Sequence, residues 1–183
     1  MTQSAIPPAV VARAAAAAGA YLRLQGGDED ALLTTLAASA LALAEAFLGS
    51  PCVIRGSEDL LSAGSGWQRL AQAPVVAIDG ITGLPADGAP FVLPVQDYGY
   101  DIAGDGTGWV RVLAPGAAGR VAVAYRAGLA ADWDALPAPI AQGVAMLAAH
   151  LFERRDGDGA PPAAIAALWR PYRRMHLGGQ RAA

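Results

Sequence analysis

Few residues in this 183-residue chain are of the types that carry covalent or metal chemistry. A metal site needs three or more ligands at ordered spacing, and neither histidine has such company. His150 sits beside Glu153 and Arg154 in a helical pattern and reads as structural. His176 lies in a basic tail and reads as a contact residue. Cys52 opens an apolar run with no histidine near it in sequence, so a buried thiol is expected. A single cysteine also excludes an internal disulfide framework. Asp156-Gly-Asp158-Gly starts like a calcium loop, but Ala160-Pro-Pro-Ala-Ala follows where oxygen ligands and a bidentate Glu are required. An inter-helix turn is the reading there. Gly104-Asp-Gly-Thr-Gly108 lacks the strand-to-helix setting and the Lys of a phosphate cradle, and reads as a hairpin loop. The pairs Glu58-Asp59 and Asp132/Asp134 are acid–base types, yet no other polar group clusters with them in sequence. No catalytic, cofactor or metal constellation emerges, and a non-enzyme is expected.

The residues suited to binding are at the other end of the chain: Trp169, Arg170, Tyr172, Arg173, Arg174, Met175, His176 and Leu177. Trp, Tyr, Arg and Met are the types enriched at protein interfaces. Two helices must position them. Pro139 suits a first helical position, and Ile140, Val144, Leu147 and Leu151 then recur at helical spacing. Gly143, Ala145, Ala148 and Ala149 keep the flanks of that stripe smooth enough for another backbone. Arg154 and Arg155 suit the dipole of a helix end, and the run from Asp156 to Pro162 turns the chain. Ile165, Leu168, Trp169 and Tyr172 make the next stripe, with a kink or restart near Arg170 caused by Pro171. Ile165 and Leu168 are expected in the core. From Trp169 on, so close to a chain end, little core is left to enter, and docking on another protein is expected.

The formal net charge is −3, every basic residue is Arg, and four arginines but no acid follow Ala160. A weakly acidic body with a basic tail is unlike a dedicated nucleic-acid binder and fits a tail that meets an acidic surface or phosphates. Ala9 to Ala20 is interrupted by Arg13 and does not read as a signal peptide. Ala31 to Phe47 reads as too short and too polar for a membrane span. A soluble intracellular product with no membrane partner is expected.

In chain order, Pro7-Pro8 opens a helix to about Leu24, and Gly26-Gly27 breaks it. Asp28 is a good N-cap for a second helix, whose Leu32, Leu36, Ala40, Leu43 and Phe47 recur at helical spacing until Gly49 and Pro51. These two helices are expected to pack antiparallel. Residues 52–128 carry short β-type runs between turn signals: Cys52–Arg55, Trp67–Leu70, Pro74–Asp79 with Gly80–Thr82 past a bulge, Tyr98–Ile102, Trp109–Leu113 and Arg120–Tyr125. Phe91–Val95 is broken by Pro94 and is an edge strand at best. The expected fold class is α+β but mainly helical. It comprises an N-terminal helix pair (1–50), an inserted small antiparallel β module (51–128), and C-terminal helices with a docking tail (129–183), all one domain.

The order of parts resembles the head–tail connector (adaptor) proteins of long-tailed phages and of gene transfer agents. The resemblance is carried by Tyr21-Leu-Arg-Leu24, Asp28-Glu-Asp-Ala-Leu-Leu33, and Val123-Ala-Tyr125-Arg-Ala-Gly128. It continues in Leu136-Pro-Ala-Pro-Ile140, His150-Leu-Phe-Glu-Arg-Arg155 and Pro171-Tyr172-Arg173. The Ala-rich helices and Arg-only basic set look most like the gene-transfer-agent branch. The resemblance implies a dodecameric ring beneath the portal protein, in the neck of a particle assembled in the bacterial cytoplasm. Such a ring continues the DNA channel and meets the stopper, the next neck protein. Its C-terminal segment would dock on the portal. Other readings stay open: another neck protein (a stopper or tail-completion factor), a DNA-binding module using the Arg-rich C-terminus, and a small hydrolase with a site assembled across the β module.

Overall fold

The computed structural model describes residues 1–24, 27, 29–154 and 162–174. Asp28, the expected N-cap, the turn from Arg155 to Pro161, and the tail from Met175 on lie outside them. The chain forms two compact units. One contains Met1–Ala5 and Val53–Ala131; the other contains Ile6–Cys52 and the chain from Asp132 on.

The first unit is all β. Strands β1 (Thr2–Gln3), β2 (Arg55–Ser62), β8 (Ala118–Ala127), β4 (Val75–Pro85) and β5 (Phe91–Val92) form a five-stranded antiparallel sheet in that spatial order. Strands β3 (Gln68–Arg69), β7 (Gly108–Val112) and β6 (Tyr98–Ile102) form a second antiparallel sheet. Strand β8 is central because Val121, Val123, Tyr125 and Ala127 alternate onto one buried face. They share one core with Val110 and Val112 of β7, Ile81 of β4, and Leu70 and Leu93 from the connections. Strand β4 carries its expected bulge, with register shifts at Val75/Ala77 and Ile78/Gly80. Strand β5 is the expected edge, two residues paired to Thr82 and Gly83.

Strand β2 has an inverted pattern. Arg55, Ser57 and Asp59 point inward and are buried, while Leu60 is exposed. The Tyr125 hydroxyl donates to Asp59 Oδ2 at 3.1 Å, the Ala71 N–H donates to the same oxygen at 2.6 Å, and the Gln72 N–H donates to the Tyr125 oxygen at 3.1 Å. Burial, with the Asp59 carboxylate as a lesser cause, pushes the Tyr125 phenol well above the ordinary tyrosine value.

The second unit is helical. Helix α1 (Pro8–Leu22) has proline in its first turn and ends on Arg23 in the left-handed region. Helix α2 (Asp30–Leu48) ends on left-handed Gly49, whose N–H reaches the Glu45 carbonyl. Helix α3 (Ala138–Glu153) starts one residue before Pro139, and α4 (Ala163–Trp169) passes into a 3-10 turn, Arg170–Tyr172, at Pro171. The core between them is alanine-rich, with Ala14, Ala18, Ala37, Ala40, Ala44 and Ala148 fully buried. Trp133, Cys52 and Leu136 are buried in the same unit.

Two expectations need correction. The fold is not mainly helical: the described residues hold four helices and eight strands in two antiparallel sheets, 38% helix against 29% strand. The β part is a full two-sheet unit because β2 extends through 56–62 and β4 runs unbroken to Pro85. Second, α2 is long and apolar enough to cross a membrane, by length and composition alone. Thr34, Thr35 and Ser39 do not make it polar, because each hydroxyl bonds to a backbone carbonyl one turn back.

Two outcomes are expected. A Cβ on Gly128 would overlap the backbone of Val53 and Ile54, whose N–H bonds Ala130 O at 2.8 Å. Gly128→Ala should therefore lower the unfolding free energy by about 2 kcal/mol or more; urea denaturation checks this, and a change under about 0.5 kcal/mol refutes it. The Tyr125 phenol stays protonated in the folded chain at pH values where an unfolded tyrosine ionises. Its contribution is complete below about pH 10 and is lost as pH rises further, with a slope approaching about 1.4 kcal/mol per pH unit. Tyr125→Phe should flatten that slope in denaturation measured across alkaline pH.

Candidate interaction surface

The residues singled out for docking meet the C-terminal end of α2. Trp169, the last residue of α4, is only 2% exposed. Its indole occupies the place a side chain would take at Gly143 of α3, and a Cβ there would overlap the ring. The indole N–H donates to the Ile140 carbonyl at 3.3 Å, and the ring tilts at 53° against Phe47 with centroids 5.8 Å apart. Expecting Trp169 to lie outside the core is therefore a misreading. Glycine in the inward stripe of α3 opens a slot in an alanine-rich core, and the largest side chain of the segment fills it.

Beyond Trp169 the chain turns outward but stays tethered. Arg170 and Arg173 are exposed, and Tyr172 and Arg174 are half-buried. The Arg173 guanidinium lies 5.4 Å from the Phe47 ring centroid, a cation–π arrangement. The Arg174 N–H donates to the Leu48 carbonyl at 2.8 Å and so satisfies an orphan acceptor at the end of α2. The result is a basic tip, Arg170 to Arg174, on a buried tryptophan root. Met175, His176 and Leu177 lie outside the described residues. Phe47 and Gly143 complete the arrangement. Sequence reasoning placed Phe47 only in a helical stripe, and Gly143 as room for a backbone rather than an indole.

The other candidates are placed apart. His150 is half-buried on α3, and its Nε2 is enclosed without a hydrogen-bond partner. Asp134 forms an exposed ion pair with Arg13 of α1. Asp59 is buried with Tyr125, whereas Glu58 is exposed beside the β1 pairing. Among the described residues no three of His, Cys, Asp and Glu gather as a metal site would require. A second aromatic surface, which the sequence did not flag, lies on the β6–β7 face. There Trp67, Asp101 and Trp109 line a shallow depression of about 410 Å³, and Arg111 stacks over Trp67 at 4.6 Å.

No protein-family profile matches the chain, and no curated protein does. Solved structures do. The chain is similar to a protein in the neck of an empty gene transfer agent (GTA) particle computed with C6 symmetry, with a TM-score of 0.77 and 29% identity. That match covers 99% of this chain and 100% of the other. A chain from the neck of a native GTA particle computed with C12 symmetry matches with a TM-score of 0.72, 29% identity and the same coverage. A chain from the virion of a native gene transfer agent matches at 0.71 and 29%, covering 98% of this chain and 99% of that one. The resemblance to a gene-transfer-agent neck protein, expected from the sequence, is borne out over nearly the whole length.

Gly143→Ala should expel the Trp169 indole from its slot and destabilise the helical unit by about 1–3 kcal/mol. Faster hydrogen exchange of the Trp169 indole N–H and of backbone amides 163–172 is the measurement. Unchanged protection would mean the slot does not hold the segment.

Proposed function

We propose that this chain is a structural subunit of the neck of a gene-transfer-agent particle. In that role it is an adaptor that assembles into a ring under the portal, joins the capsid to the next neck protein, and continues the DNA channel. The full-length structural likeness to GTA neck chains carries this reading. The role is mechanical rather than enzymatic. Its partners are further copies of itself in a twelve-membered ring, in keeping with the C12 neck of a similar chain, together with the portal above and the stopper below. DNA passes through without being recognised by sequence.

The portal contact is assigned to the basic tip: Arg170, Tyr172, Arg173 and Arg174, continuing into Met175, His176 and Leu177. Trp169 has a different part, as the anchor that holds the tip at the end of α2. Two exposed arginines on a fixed turn give a partner's carboxylates a defined set of donors. Arg170 and Arg173 can bind while Phe47 and Trp169 stay where they are.

Electron microscopy of the chain mixed with the portal protein encoded near it, beside each alone, tests the proposal. Rings of this chain capping the portal are expected. Arg170→Glu with Arg173→Glu should abolish capping and lower the melting temperature by no more than about 4 °C, the share of the lost Arg173–Phe47 contact. A folded chain that ignores the portal and binds duplex DNA in a salt-dependent way would favour the DNA-binding reading.

A further inference from the structure

Helix α2 is apolar all the way round, yet only one side of it is covered. Leu33, Ala37, Ala40, Leu41, Ala44 and Leu48 are buried in the helical unit. About half a turn away run Leu32, Thr35, Ser39, Ala42, Leu43 and Ala46, all exposed, with Leu32 at 41% and Leu43 at 46%. No charged residue occurs between Asp30 and Glu45. The two hydroxyls in the outer stripe are already satisfied: Thr35 Oγ1 donates to Ala31 O at 3.0 Å and Ser39 Oγ to Thr35 O at 3.1 Å. Covering this stripe strands no polar group. A helix apolar on every side is one whose every side is buried in its working state.

We infer that the outer stripe of α2 packs against a second copy of this chain, in the groove between that copy's α1 and α2. The groove measures about 510 Å³ and is walled by Ala12, Ala16, Gly19 and Ala20, with Leu33 and Thr34 on its other side. Its alanine and glycine wall leaves room for protruding leucines. Leu32 and Leu43 stand about three turns apart on one ridge, and the groove they would enter has Leu24 and Leu33 to meet them beside its alanine wall. The groove borders α2 along Asp30 and Thr34, a different edge from the stripe. Each copy thus offers a ridge to one neighbour and a groove to the other, a head-to-tail contact of the kind that closes into a ring. The inference rests on the ring reading above and names the surfaces that make it.

The test is sedimentation of the full chain over a range of concentrations, wild type against Leu32→Glu, Leu43→Glu and Ala16→Glu. Val92→Glu, at an exposed strand position of the β unit, is the control, and circular dichroism checks folding. Wild type and V92E should self-associate alike, and each of the other three should associate about tenfold or more weakly. Mixing L43E with A16E should give a dimer and nothing larger, because one intact ridge then meets one intact groove. Variants that associate like wild type would overturn the inference and leave the ring reading standing. Variants that fail to pair on mixing would overturn the ridge-in-groove arrangement. A wild type that stays monomeric but floats with phosphatidylglycerol vesicles would show that lipid covers the stripe. A wild type monomeric under all conditions would overturn the inference, and the ring reading as well if the portal mixture also shows no ring.

Discussion

A buried carboxylate holds the β unit together. Asp59 is 3% exposed and sits inside a sheet, where an ion without partners is among the most costly groups a protein can enclose. It is tolerated because the Tyr125 hydroxyl and the Ala71 N–H both donate to it. Tyr125 in turn accepts from Gln72. One oxygen pair thereby ties β2, the central strand β8 and the segment entering β4. Strand β2 could slide by one residue only by moving Arg55, Ser57 and Asp59 to the solvent face and Leu60 to the core. The hydrogen bonds to Asp59 forbid that slip more firmly than the weak hydrophobic pattern of β2 could.

The helical unit works by a different constraint, the closeness of its backbones. Its core is filled with alanine, which loses no rotamer freedom on burial but contributes little apolar area per residue. Close approach compensates, since dense contact adds many small dispersion terms. Such a core has no spare volume for an indole. Trp169 enters only because Gly143 contributes no side chain, and Phe47 then bridges the buried ring to the exposed Arg173. The basic tip therefore inherits its position from a core contact.

How much could be read beforehand follows from the same physics. Helices α1 and α3 carry proline entries, α2 carries a glycine exit, all three carry helical spacing, and they lie close to where the pattern places them. Strand β8 was legible because Val121, Val123 and Tyr125 alternate. Strand β2 was not, because its inward residues are polar and its partner Tyr125 lies 66 positions away from Asp59. Missing β2 left the 51–128 module with too little strand and made the fold read as mainly helical. Trp169 was misplaced for a related reason: a slot made by a missing side chain leaves only a glycine in the sequence, and nothing marks what fills it. The residues of the basic tip were singled out by type, and the turn at Pro171 that presents Arg170 and Arg173 was foreseen. Phe47 was not linked to them, because 126 residues separate it from Arg173.

The chain enters the β unit at its first residues, leaves it at Ile6, returns at Val53 and leaves again at Asp132. Each unit is therefore made of two pieces of sequence, and this sets the order of events on the ribosome. Helices α1 and α2 emerge first but lack α3, whose first residue follows the end of α2 by about ninety positions, roughly 5–20 s of synthesis. The N-terminal strand must likewise wait for β2, and β2 for β8. During that interval an alanine- and leucine-rich helix pair stands without its third wall. The growing chain is thus exposed to chaperone capture until α3 is made, well after the strands and helices of the first half have emerged.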